Sequence, residues 1–248
     1  MISELTFSRK FTSFWNQLLP NANNFIRIIN GSLIEDVYPP LDDCANRSNN
    51  VFVNECAFNL YRAIQNDSLD RNILSAHDIF HNADFQVVFE KTKEYLQRFA
   101  YGSNFKLPLS MVEYNAIREI ARNILSRYGM ENQIEVSPQF DGCGVINNSY
   151  GDIYYSNVLV EIKSGDRKFS VYDLRQVLIY FTLNFYSKNK RNIKRFELFN
   201  PRMGITYSDT IVNLCKELAF IQPAKWHLNR SQFGIRIDHD LASISDHS

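Results

Sequence analysis

The chain has 248 residues, 45% hydrophobic and 22% charged, enough apolar content for the core of a soluble globular protein of one large domain or two small ones. Its formal net charge is zero, so bulk charge signals no nucleic-acid partner, and four scattered cysteines without a CxxC pair exclude a zinc ribbon and a disulfide scaffold. No apolar run approaches a membrane span and no signal-peptide core precedes the first helix, so a reducing, cytoplasmic setting with no membrane partner is expected.

Charge is divided unevenly. Residues 1–105 carry 9 Lys+Arg against 12 Asp+Glu, and residues 106–248 carry 18 against 15, giving −3 and +3. The first region reads as mainly helical. Phe7 to Leu19 has helical apolar spacing and ends at Pro20; Val51 to Ile64 and Phe85 to Phe99 repeat that pattern, separated by a polar loop from Pro39 to Asn50. His77 and His81 stand four apart, but HExxH is absent and polar residues near a helix end explain them more simply. The region is expected to serve docking, DNA binding or regulation.

From residue 106 the pattern changes. Ser110 and Glu113 form a capping box opening a helix over Met111 to Tyr128, with Gly129 as its stop. A short strand over Gln133–Val136 and a loop from Pro138 to Gly144 follow. Gly151 to Lys163, GDIYYSNVLVEIK, reads as a tight β-hairpin with Ser156-Asn157 as its two-residue turn. That turn length sets Tyr155 opposite Val158, Tyr154 opposite Leu159, Ile153 opposite Val160 and Asp152 opposite Glu161. Ile153, Tyr155, Val158, Val160 and Ile162 then make one apolar face, while Asp152, Tyr154, Leu159, Glu161 and Lys163 share the other. Opposed carboxylates repel, a cost that a divalent cation would remove.

After the hairpin, Ser170 and Asp173 start a second helix to about Tyr186. Phe196–Phe199 reads as a strand, Ser208–Phe220 as a third helix, and Gln232–Ile237 as an edge strand. The predicted class is α/β with a mixed sheet, in the order helix, three strands, helix, strand, helix. Lys188, Lys190, Arg191, Lys194, Arg195 and Arg202 form a basic cluster opposed only by Glu197, which suits a solvated face or a phosphate backbone.

Asp152, Glu161-Ile162-Lys163 and Gln176, within this order of elements, resemble the core of the PD-(D/E)xK, or restriction-endonuclease-like, nuclease superfamily, over roughly residues 110–220. Gln176 and Tyr180 resemble the QxxxY element of its RecB-like branch, and share a helix face at i, i+4. The resemblance implies a restriction-endonuclease-like nuclease domain over 106–248 that hydrolyses DNA phosphodiester bonds with Mg²⁺, for which Mn²⁺ substitutes. Asp152, Glu161 and the Ile162 carbonyl would be metal ligands, Lys163 would orient water and counter developing charge, and Gln176 would help arrange the site. The resemblance further implies an endonuclease of restriction or anti-phage defence, recruited by a protein partner or a second copy through the N-terminal region.

The pattern departs from the family in places. Gly151 rather than Pro precedes Asp152, and Pro138 stands three residues before Asp141, so Asp141 remains a rival first ligand. Glu113 and Glu119 are further candidates from the preceding helix. Arg167, Lys168, Arg175 and Tyr180 are candidate nucleic-acid contacts, with Asp166 in the same turn as the first two. Cys143 has no local His to activate it as a nucleophile. A non-catalytic nucleic-acid- or partner-binding subunit of the same fold is the alternative.

Overall fold

The computed structural model describes residues 1–42, 46–75, 79–98 and 105–219. Among them, six strands form one mixed sheet in the spatial order β1 (Glu35–Asp36), β8 (Ile205–Thr210), β7 (Arg195–Asn200), β6 (Val158–Ile162), β5 (Ile153–Tyr155) and β2 (Glu135–Val136). A separate two-stranded ribbon pairs β3 (Gln139–Phe140) with β4 (Ser149–Tyr150), inside the stretch read from sequence as a loop.

The hairpin forms in the expected register, with Ile153, Tyr154 and Tyr155 opposite Val160, Leu159 and Val158. Ser156 and Asn157 sit at φ of 41° and 70°, the left-handed pair that a two-residue hairpin turn requires to match strand twist. β6 and β7 run parallel, joined by helix α7 (Val171–Tyr186), because a parallel pair cannot be closed by a tight turn. β7 returns antiparallel to β8 through Gly204, whose φ of 66° brings it against the Tyr38 carbonyl where a Cβ would collide.

Helices cover both sheet faces. One layer consists of α1 (Glu4–Arg9), α2 (Thr12–Leu18), α3 (Ala22–Ile28), α7 and α8 (Ile211–Ala219). The other consists of α4 (Asn50–Gln65), α5 (Ala83–Arg98) and α6 (Met111–Tyr128). Alternation along each strand divides its residues between the layers: Leu159, Phe196 and Leu198 enter the first core, and Ile153, Val160 and Phe199 the second. Residues on both sides of position 105 fill both cores. The capping box holds as read, with Ser110 N–H donating to Glu113 at 2.7 Å.

Two further local readings change. The expected helix from Phe7 to Leu19 is two helices, because Phe11 adopts φ 59° between them and turns its ring onto Phe7. Residues 208–210 end β8 rather than beginning a helix: Ser208, Asp209 and Thr210 pair with Glu197, Phe196 and Arg195, and α8 starts only at Ile211. Two strands therefore follow α7, where one was expected. The reason is tertiary, since the open edge of β7 gives this stretch ladder partners that its own periodicity does not announce. The predicted strand at 232–237 lies outside the described residues, as does the His77 member of the histidine pair. No helix among the described residues is long and apolar enough to cross a membrane.

Candidate active site

One step beyond the Ile153–Val160 pair, the hairpin register puts Asp152 across from Glu161. The Asp152 side chain substitutes for the missing ladder partner: its Oδ2 accepts the Ile162 N–H at 2.6 Å. Glu161 is only 2% exposed, buried where the strand is covered by helices on both faces. Its Oε1 accepts from Lys163 Nζ at 2.5 Å, and its Oε2 has no hydrogen-bond partner. An orphaned buried carboxylate oxygen is costly and calls for a role.

Lys163 links the hairpin to α7. Its Nζ donates to Gln176 Oε1 at 2.7 Å and lies 4.0 Å from Asp173 Oδ1. Gln176 in turn donates through Nε2 to the Tyr180 hydroxyl at 2.8 Å, and the Tyr180 ring stacks on Phe140. Glu161, Lys163, Gln176 and Tyr180 thus form a continuous chain of polar contacts running from strand to helix. The crossover begins at a turn held by Asn200, whose Nδ2 donates to the Gly165 and Arg167 carbonyls at 2.8 and 3.0 Å.

Burial governs the titration of this group. It pushes the Glu161 carboxyl up to about 8; the Asp152 charge reinforces the shift and Lys163 opposes it. Asp152 is raised too, by burial, against the pull of Lys163 and the Ile162 N–H. For Lys163 burial works against the charge, but Glu161, Asp173 and Asp152 together hold the ammonium above its ordinary value. Burial also raises Glu55 on α4, with Asp152 as the next cause, so this helix brings a further carboxylate into the electrostatic reach of the pair.

No family model, curated protein or solved structure matches this chain.

The residues themselves fit a divalent cation. Mg²⁺ takes oxygen ligands and commonly only one or two carboxylates, and here two carboxylates face each other with one oxygen unpartnered. No group of three or more His, Cys, Asp or Glu among the described residues is disposed to hold a metal ion, so the pair and the Ile162 carbonyl would be the protein's share.

The other sequence candidates have different surroundings. Asp141 sits at the end of α7: its Oδ2 accepts the Lys188 N–H at 2.9 Å and its N–H donates to Ser187 Oγ at 2.8 Å. Glu113 is 2% exposed and occupied by Asn49 at 2.7 Å and Ser110. Glu119 pairs with Arg118 and Arg122. Asp166 meets Arg47 at 3.5 Å on the surface.

Arg167 makes a two-pronged contact with Asp173 at 2.8 and 3.0 Å, and Lys168 Nζ donates to the Asn30 carbonyl at 2.8 Å. Both side chains remain on the surface where a phosphate could reach them. Arg175 and Tyr180 do not, which corrects their reading as nucleic-acid contacts. Arg175 is buried between the Trp15 and Tyr172 rings, donating to the Ser8 carbonyl, and Tyr180 is 2% exposed. The basic cluster also divides: Lys188, Lys190, Lys194 and Arg195 are exposed, Arg191 is engaged with Glu135, and Arg202 is buried against Ser164 and Asn54.

Sequence reasoning missed two participants. Asp173 was visible only as a helix cap, yet it also faces Lys163 and fixes Arg167. Glu55 carried no signal at all, since it comes from a distant helix brought over the site by packing.

Proposed function

We propose that this chain is a divalent-metal-dependent nuclease that hydrolyses DNA phosphodiester bonds at the Asp152–Glu161–Lys163 site. The observation carrying this reading is the buried Glu161 Oε2, which has no partner although it stands beside a second carboxylate. Asp152, Glu161 and the Ile162 carbonyl would hold Mg²⁺ or Mn²⁺. Such a cation supplies charge stabilisation at a phosphoryl oxygen and a more acidic water.

The chain's own groups have distinct tasks. Asp152 and Glu161 provide carboxylate oxygens from facing hairpin positions, and Glu161, which burial holds protonated up to about 8, would release its proton as the cation binds. Lys163 keeps its proton and is held as a cation for the charge that develops on the phosphate. Two of its three N–H groups are used by Glu161 and Gln176; the third has no protein acceptor within hydrogen-bond distance among the described residues. Gln176, anchored by Tyr180, fixes the direction of the ammonium. Endonucleolytic cutting and a place in restriction or anti-phage defence rest on the resemblance to the nuclease superfamily.

A second reading, a non-catalytic binding subunit of the same fold, is favoured by the closure of the site, with Glu161 2% and Gln176 5% exposed. One experiment separates the two. The purified chain is incubated with Mg²⁺ or Mn²⁺ and circular, linear and single-stranded DNA and RNA. Cleavage that disappears in Glu161→Ala supports the nuclease; no cleavage of any substrate, or equal cleavage by the variant, overturns it.

A further inference from the structure

A cleft of about 680 Å³ opens beside the carboxylate pair, between α4, α5 and the segment that carries Asp152. Its far wall includes Ser137, whose N–H donates to the Asp152 carbonyl at 2.8 Å, and Tyr150, two residues before Asp152. Glu55, coupled electrostatically to Asp152, lies on the near wall. The cleft therefore borders the candidate site through Ser137, one hydrogen bond from the Asp152 backbone, while the site residues themselves stand behind its lining.

Its lining has the residue types that hold an unpaired nucleotide chain. Tyr95 from α5 and Tyr150 from β4 are 51% and 57% exposed as residues, and both line this one cleft. Exposed aromatic rings are platforms for base stacking, which tolerates any base because every base has a π-face. Arg62 and Lys91 are exposed cations on the same lining, suited to backbone phosphates. Asp84 and Glu55 offset them, so stacking rather than net charge would dominate the hold. The volume is that of a small-ligand pocket, suited to a nucleotide or two of a single strand and far below a duplex.

We propose that this cleft binds an unpaired stretch of nucleic-acid strand, with Tyr95 and Tyr150 stacking on bases and Arg62 and Lys91 holding phosphates, and that it leads the strand toward Asp152. The delivery role rests on the nuclease reading; the binding does not.

The test is fluorescence anisotropy on the full chain, with EDTA present to prevent cleavage, using labelled oligothymidylate, oligouridylate and a blunt duplex. Tighter binding of either single strand than of the duplex is expected, and an oligodeoxyuridylate control, which shares its base with oligouridylate, names the sugar. Tyr95→Ala with Tyr150→Ala should weaken it about thirtyfold or more, with the far-UV spectrum of the folded chain retained. Arg62→Ala with Lys91→Ala should lower the slope of log affinity against log salt by about 1.4. Preference for the duplex, or wild-type binding by the tyrosine double variant, overturns the cleft. The two readings fail separately. Single-strand binding lost in the tyrosine variant, from a chain that cleaves nothing, keeps the cleft and discards the nuclease. Metal-dependent cleavage with unaltered binding in that variant does the reverse.

Discussion

Lys163 and Gln176 are joined across the crossover by a 2.7 Å hydrogen bond from the ammonium to the side-chain amide oxygen. The same ammonium reaches Glu161, so a single cation ties the strand to the helix and sits beside the carboxylate pair. Under the nuclease reading its position is as important as its charge.

Lys163→Ala should therefore lower metal-dependent cleavage about a hundredfold or more, the scale of losing a preorganised charge-stabilising group. Lys163→Arg should not restore it, because a planar fork cannot occupy the compact site between Glu161 and Gln176. Gln176→Ala leaves the ammonium in place but misdirected, and should reduce the rate by less than Lys163→Ala does. Single-turnover cleavage rates rank the three; a Gln176→Ala defect as large as that of Lys163→Ala would contradict a purely orienting role.

Glu161 should make stability depend on pH. Its carboxyl titrates at about 8 in the folded chain against an ordinary 4.5, because burial disfavours the charged form. The folded state thus retains a proton that the unfolded state releases, and stability falls as pH rises from about 4.5 to about 8, then levels. Glu161→Gln should remove that slope and raise Tm at alkaline pH in metal-free buffer by roughly 3 °C or more. Added Mg²⁺ should raise Tm in the parent and not in the variant. Thermal scans across this pH range check both, and a variant less stable than the parent at high pH would oppose the burial argument.

Asp173 should act on the acid side. Burial alone would raise its carboxyl, but the Arg167 hydrogen bonds, the Lys163 charge and the Ser170 N–H hold it below the ordinary 3.8. A depressed carboxyl stabilises the fold above its unfolded value, and that contribution is lost as pH falls through the folded one. Asp173→Ala also removes a helix cap, so a loss of about 1–2 kcal/mol near neutrality is expected, shrinking under acid. Urea denaturation at several pH values measures it.

The turn between β5 and β6 should tolerate little. Asn157 sits at φ 70°, a region in which a β-branched side chain clashes with its own backbone. Asn157→Val should destabilise by about 1–2 kcal/mol, and Asn157→Gly should not. Because the turn sets the register that opposes Asp152 and Glu161, the valine variant should also bind divalent metal more weakly. Calorimetric titration with Mn²⁺ gives that readout.

The features legible in the sequence are those decided within a few residues. The capping box of Ser110 and Glu113 bounded α6, the two-residue turn fixed which hairpin residues oppose each other, and the helical repeat put Gln176 and Tyr180 on one face. Each follows from backbone geometry and short-range hydrogen bonding, which nearby residues determine. Ser208–Thr210 became strand only because β7 offered an edge, and the Phe11 break only because its ring packs on Phe7. Arg175 looked like a surface cation until Trp15 and Tyr172 enclosed it, and Asp141, the rival to Asp152, gives one carboxylate oxygen to the Lys188 backbone N–H at the end of α7. Sequence alone thus determined that Asp152 and Glu161 would meet. Tertiary structure decided that Glu161 is buried, that its second oxygen has no partner and that α4 lays a cleft beside the pair, because solvation and field at a site are set by all the chain packed around it.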